Sequence, residues 1–237
     1  MWMLDAGSEV PVGGRPASPA PDRQSRAWTV VSAIEAAAAA AAILLDLLIP
    51  SLVLIAMAVA SLLVRRQRIT SLGLRRSTGS RLVAKTFLLA VLWSVFQLSV
   101  TMPIANHVSG KTQDLSAFND LQGNAGMLAA LLVAGWLLGA FAEELAYRGY
   151  LLTRIREALG FGRWGLAVAI VLSSVLFGFA HTEQGLVGVL VVTIDGIYFS
   201  VLRVHFQTLW ASVLAHGFNN TIGFVAFFLV GPIHGLW

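Results

Sequence analysis

The segment Gly139-Ala140-Phe141-Ala142-Glu143-Glu144-Leu145-Ala146-Tyr147-Arg148-Gly149 places two adjacent carboxylates and a guanidinium within six residues of an otherwise apolar run. Two further apolar runs each carry an imidazole, at Phe177-Gly178-Phe179-Ala180-His181 and at His216-Gly217-Phe218-Asn219-Asn220. A charged side chain at mid-bilayer costs roughly 2.5–3.5 kcal/mol on insertion scales, which makes each one a functional candidate. Neighbours on a helix are about 100° apart, so Glu143 and Glu144 cannot both face one point and should have different jobs. Glu144 and Arg148 are spaced i, i+4 and can pair on one face, leaving Glu143 as the carboxylate free for chemistry. His216 and Asn220 share a face by the same spacing, and Phe177 sits one turn behind His181. An acid, two imidazoles and an amide on helices poor in polar groups are what a buried hydrolytic site needs. Glu143 would serve as general base, the histidines would orient water or stabilise an oxyanion, and the amide would fix a tautomer or bind substrate backbone. The blander reading of the first segment is a structural salt bridge or an interfacial arginine anchor, and a lone histidine in an apolar helix is usually a hydrogen-bonded core residue. Two histidine-bearing spans beside the acidic one shift the balance toward a site.

These residues need helices that cross a bilayer, and the composition supplies them. Hydrophobic residues make up 57% of the 237-residue chain and charged ones 12%, against about a quarter charged in a soluble domain; mean hydropathy is +0.77. The fold class is all-α, a polytopic transmembrane bundle of about six to seven spans. Residues 1–26, with Pro11, Pro16, Pro19 and Pro21, read as a disordered tail, and not as a cleavable signal, because Asp5 and Glu9 precede any apolar core. Residues 27–81 hold the N-terminal span or spans and an Arg-rich cytoplasmic linker. The run Ala27 to Val64 is too long for one span and is interrupted by Glu35, Asp46 and Pro50, which favours two. Residues 82–237 form the transmembrane catalytic core, with spans at about Leu82–Ile104, Asn124–Tyr147, Trp164–His181, Gly185–Val204 and Gln207–Val230.

Orientation follows from the Lys/Arg bias of short loops. Arg65, Arg66, Arg68, Arg75, Arg76 and Arg81 gather in the first linker, and Arg148, Arg154, Arg156 and Arg163 near the loop 150–163, whereas 105–123 holds Lys111 alone and 182–184 holds none. The linker, the loop near 150–163 and the turn near 204 are therefore cytoplasmic and the C-terminus lies outside. The net charge of +4, gathered in these loops, is not a nucleic-acid signal, so no nucleic-acid partner is expected. The absence of cysteine excludes disulfides, a thiolate nucleophile and cysteine-ligated metal sites.

At these residues the chain resembles the CPBP family of intramembrane proteases, also called the CAAX protease and bacteriocin-processing, or Abi, family. Its EExxxR motif is matched by Glu143, Glu144 and Arg148, its FxxxH motif by Phe177 and His181, and its HxxxN motif by His216 and Asn220, in order. Ser71-Leu72-Gly73-Leu74-Arg75-Arg76 looks like a short segment that many members carry upstream. The resemblance implies a helical intramembrane endopeptidase in a multi-pass protein of a bacterial plasma membrane. Its partners would be the lipid bilayer and a membrane-embedded or lipidated peptide substrate. Carried over, Glu143 activates water, His181 is a water or oxyanion partner, His216 and Asn220 complete the site, and Glu144, Arg148 and Phe177 support it. The cofactor is either none or zinc. His181, His216 and Glu143 could make a three-ligand zinc site with an open position, although the family is commonly labelled metalloprotease while HExxH spacing is absent here. Glutamate chemistry without a metal is slightly favoured.

Two other functions compete. One is a non-catalytic CPBP-fold membrane protein acting in bacteriocin immunity or as a partner scaffold; the other is a proton-coupled transporter using Glu143, Glu144, Arg148 and Asp195, for which no inverted repeat is evident. Asp195 could line the same cavity or make a structural hydrogen bond. His107, His205 and His234 read as solvated loop or tail residues, and Glu35 and Asp46 as marks of where the first helix pair turns or bundles. One tension follows from the spans. Glu143 near the cytoplasmic end of its span and His181 at the far end of the next would stand roughly 20–25 Å apart on straight helices.

Overall fold

The computed structural model describes residues 23–75 and 79–232. Residues 1–22, which hold most of the expected tail, lie outside them, as do Arg76 and His234. The described residues fold into seven helices without strands: α1 (Arg23–Leu44), α2 (Pro50–Arg65), α3 (Ser80–Ser109), α4 (Ala125–Leu159), α5 (Arg163–Phe179), α6 (Gly185–Phe206) and α7 (Leu209–Val230). Five are long and apolar enough to cross a membrane, while α2 and α5 are shorter apolar helices. The all-α membrane bundle read from the sequence is thus the observed architecture.

The run from Ala27 to Val64 divides where its punctuation suggests. Asp46 and Leu48 take left-handed backbone angles, φ 48° and 56°, and Pro50 opens α2, where its missing N–H costs nothing. Glu35 bundles the pair against α4, with its carboxylate 3.2 Å from Arg65 of α2 and 3.0 Å from Arg154 of α4. Glu157 pairs with the same two arginines, and the Ser61 hydroxyl donates to Glu35.

That network explains a correction. The span expected to end at Tyr147 continues unbroken through most of the loop expected near 150–163, because α4 runs on to Leu159 and only 160–162 separate it from α5. Arg148 and Arg154 resemble loop charges in the sequence, yet both are fully buried against carboxylates of their own helix and of α1. A chain segment that neutralises its arginines internally has no need to leave the helix. His107 and His205 are also helical, on α3 and in the last turn of α6, although both are exposed as expected.

Two stretches are wound with i→i+5 hydrogen bonds in place of i→i+4, Gln97–Thr101 in α3 and Gly135–Leu151 in α4. Such π-type winding is rare and concentrates at functional sites. In α3 it ends two residues before Pro103, whose ring crowds the carbonyl four residues back and lacks an N–H. In α4 it turns successive side chains by less than the usual 100°, so Glu143 and Glu144 diverge less than an ordinary helix would make them.

The helix carrying His216 reaches α4 through a close contact. A Cβ at Gly217 would fall 2.5 Å from Cζ3 of Trp136, whose indole N–H donates to Thr221 at 3.1 Å. Ala for Gly in a helix normally gains about 1 kcal/mol, but overpacking costs about 1–3 kcal/mol. Gly217→Ala is therefore expected to lower the thermal unfolding midpoint in detergent, and a raised midpoint would contradict this packing.

The two ends of the bundle differ. At one end the α2–α3 linker meets the α6–α7 turn, where Leu209 N–H donates to Gly73 O at 2.9 Å and Arg203 Nη2 donates to Leu72 O at 3.4 Å. At the other end the α3–α4 connector reaches the α5–α6 turn. There Gln113 Nε2 donates to Gln184 Oε1 at 2.7 Å, and Asp114 N–H donates to Gln184 O at 3.0 Å. On that connector the hydroxyl and N–H of Ser116 hold the Asp114 carboxyl below the usual carboxylate range.

Candidate active site

Helices α4 and α5 form an antiparallel hairpin whose register is set by aromatic packing. The Tyr147 and Phe177 rings meet edge to face at 4.9 Å, and the Arg148 guanidinium lies 4.0 Å over the Phe177 ring. One turn back along α4 from that level is Glu143, and one turn on along α5 is His181. The two therefore stand at similar height, and Glu143 lies within electrostatic range of both His181 and His216. The separation of roughly 20–25 Å expected from straight spans does not arise, because α4 continues to Leu159 and Glu143 sits mid-helix.

Glu144 is committed elsewhere. Its Oε1 is 3.0 Å from Arg148 Nη1, the i, i+4 pair expected from the spacing, and 2.9 Å from His216 Nδ1. A carboxylate accepts, so His216 donates from Nδ1 and turns Nε2 to other use. His181 is fixed in the same sense, because its Nδ1 lies 2.9 Å from the Phe177 carbonyl, which can only accept. The tautomers are thus set by Glu144 and by a main-chain carbonyl. Asn220, given that role as one option from the sequence, donates instead to Gly135 O at 3.4 Å. It fits there because residue 139 is glycine: a Cβ at that position would meet the amide nitrogen of Asn220 at 2.9 Å.

A cavity of about 340 Å³ opens beside these groups, with Phe177, His181, His216 and Asn220 on its wall. Glu143 is partly buried and stands beside the imidazoles without forming part of that wall. Among the described residues it makes no side-chain hydrogen bond or salt bridge. Three of the motif segments, from α4, α5 and α7, therefore meet at one place, with one carboxylate tied down and one left uncommitted.

The wall also holds Asp195, weighed in the sequence, and residues that the sequence did not single out. Asp195 lines it and at the same time accepts from Trp93 Nε1 at 2.7 Å and Gln97 Nε2 at 2.6 Å, so both readings of this residue apply. Ser94 donates to Asn219 Oδ1 at 2.8 Å across α3 and α7. Phe199 stacks on His216, with ring centroids 4.7 Å apart and planes 12° apart, and no spacing pattern marks it. Ser94, Gln97 and Asn219 did carry a signal, being uncharged polar side chains inside apolar spans.

A zinc ion holds imidazole and carboxylate ligands at about 2.0–2.2 Å. Among the described residues no three His, Asp or Glu side chains are grouped so as to hold a metal. Glu143, His181 and His216 are neighbours here without converging as a ligand set.

Residues 125–222 match the family model for Rce1-like type II CAAX prenyl endopeptidases. The CPBP resemblance read from the motifs is borne out. The Rce1-like core takes in α4, α5, α6 and most of α7, and every motif residue from Glu143 to Asn220 falls inside it. Trp93 and Gln97, which hold Asp195 at the cavity, belong to α3 and lie before it. No curated protein and no solved structure matches the chain. The apolar helices together with the family match fit an integral, multi-pass membrane protein.

Proposed function

We propose that the protein is an intramembrane endopeptidase of a bacterial plasma membrane in which Glu143 activates water and His181, His216 and Asn220 complete the site. The observation that supports it most is the approach of the three motif segments to one another, with His181, His216 and Asn220 on the cavity wall, Glu144 paired with Arg148, and Glu143 uncommitted within electrostatic range of both imidazoles. In this reading Glu143 takes a proton from water as the water oxygen attacks the scissile carbonyl, and it returns the proton to the leaving amine. His181, donating from Nδ1 to Phe177, presents Nε2 as an acceptor that orients the water. The developing oxyanion needs donors, which the Asn220 amide supplies, and His216 completes the site beside it. Arg148 and Phe177 hold the hairpin in register and so position Glu143 against His181.

The test is cleavage of membrane peptides by the reconstituted protein, with new termini read by mass spectrometry for the wild type and for Glu143→Gln. New termini made equally by both would overturn the assignment. The reading does not use a metal. Cleavage is expected to persist after treatment with 1,10-phenanthroline and dialysis, and loss of turnover that zinc restores would show a metal-dependent step.

A further inference from the structure

We infer that Arg75, Arg156 and Arg203 form a binding site for a phosphate group, where the α2–α3 linker meets the ends of α4 and α6. None of the three lines the cavity, and the site does not depend on whether the protein cleaves peptides.

Arg203, in the last turn of α6, is the centre of the cluster. Its Nη2 donates to Thr153 Oγ1 of α4 at 3.3 Å and lies against the linker, where a Cβ at Gly73 would fall 3.2 Å from it. Glycine at 73 lets the linker pass this close, and the left-handed φ of 94° there suits the same residue type. Arg75 follows two residues on, its N–H donating to Gly73 O at 2.9 Å. Arg156 lies one turn past Thr153 on α4 and so shares its face. Both arginines are within electrostatic range of Arg203.

Three guanidinium groups brought together call for an anion, and the protein supplies none. Among the described residues none of the three enters a salt bridge. Glu157, beside Arg156 in sequence, is taken by Arg65 and Arg154. Glu144, whose charge reaches Arg203, is taken by Arg148 and His216. Donors are left over as well. The Nε atoms of Arg156 and Arg203 are both buried and meet no acceptor among the described residues, although buried polar groups are almost always paired. A guanidinium offers parallel N–H groups as a two-pronged fork, which matches the oxygens of a phosphate.

The surroundings place the cluster at the depth of lipid head groups. Arg156 Nη2 donates to Phe161 O at 3.5 Å, and Phe161 is 70% exposed, with Trp164 just beyond it 74% exposed. Exposed aromatic rings beside basic residues are typical of helix ends at the boundary between water and hydrocarbon. Basic pockets between helix ends bind phospholipid head groups there. A soluble phosphate compound would offer the same oxygens to the same donors, so the two sources are separated by experiment.

The full-length protein, purified in micelles, is titrated with phosphatidylglycerol and separately with inorganic phosphate, and bound ligand is read by native mass spectrometry. The wild type is expected to retain one ligand. The pair Arg75→Gln and Arg156→Gln is expected to weaken it roughly 30-fold, at about fivefold for each basic side chain. Arg203 is left in place, because it ties α6 to the linker and to Thr153. The pair Arg68→Gln and Arg81→Gln removes the same charge from exposed positions at the same end and is expected to leave binding unchanged. Should the first pair fail to accumulate, Arg156→Gln alone, which gives up one hydrogen bond to Phe161 O, keeps the comparison with an expected loss of about fivefold. Retention of phosphatidylglycerol alone, lost with the cluster, assigns a lipid head group; retention of inorganic phosphate, lost in the same way, assigns a soluble phosphate compound. Equal losses in the two pairs would reduce the effect to diffuse attraction and overturn the site, as would a wild type that retains neither ligand. The readout is binding and not turnover, so its failure leaves the proteolytic reading intact, and a protein that never cleaves peptides leaves the phosphate site intact.

Discussion

Glu143→Gln is expected to lower peptide-bond cleavage by roughly 10²–10⁴-fold, the range that a positioned general base contributes, while the protein accumulates and unfolds as the wild type does. The separation of these two readouts follows from how the two adjacent carboxylates are used. Glu143 enters no salt bridge or side-chain hydrogen bond among the described residues, and the amide has nearly the same shape, so the substitution leaves no charge stranded. What it removes is the uncommitted carboxylate beside His181 and His216, the group assigned to take a proton from water. Cleavage by the purified variant at the wild-type rate would rule out Glu143 as base and return the choice to a non-catalytic role. Loss of cleavage together with loss of the folded protein would show that Glu143 is structural after all.

The fold and the site were legible to different depths. Scarcity of charge made the motif residues stand out, and their helical spacing correctly paired Glu144 with Arg148. Proline and acidic residues correctly divided α1 from α2. The end of α4 was not legible, because the burial of Arg154 depends on Glu35, which is remote in sequence, as well as on Glu157 of its own helix. No local pattern reports such a partner, and an arginine cluster without one reads as a cytoplasmic loop. The apparent distance between Glu143 and His181 was a consequence of the same error, since ending α4 at Tyr147 misplaces every residue relative to α5. The π-type winding of α4 was equally hidden, since no residue type or spacing in Gly135–Leu151 marks it. Asp195 was visible as an intramembrane acid, but its partners Trp93 and Gln97 are on α3, outside the motifs altogether.

Arg148→Met is expected to destabilise the folded protein by about 3–5 kcal/mol, the cost of removing one partner from a buried ion pair. The guanidinium is fully buried and lies over the Phe177 ring at 4.0 Å and the Phe199 ring at 5.6 Å. Methionine can refill much of that volume, so packing loss is the smaller part of the effect. The larger part falls on Glu144, whose carboxylate is buried too and keeps only the uncharged or weakly basic partners His216 and Ser212. Adding Glu144→Gln to Arg148→Met should then recover stability, since an amide costs less to bury unpaired than a carboxylate, and the double-mutant cycle should give a coupling of about 0.5–3 kcal/mol or more. Cleavage should behave otherwise. The double variant removes the acceptor that sets the His216 tautomer, so stability would return without activity, and the pH profile of any residual cleavage would shift from that of the wild type. Arg148→Lys keeps the charge but not the planar stack on Phe177, and should fall between the two in stability. Recovery of both stability and cleavage in the double variant would mean that the pair serves only the fold. Recovery of stability alone would place Glu144 and Arg148 as positioning residues for His216.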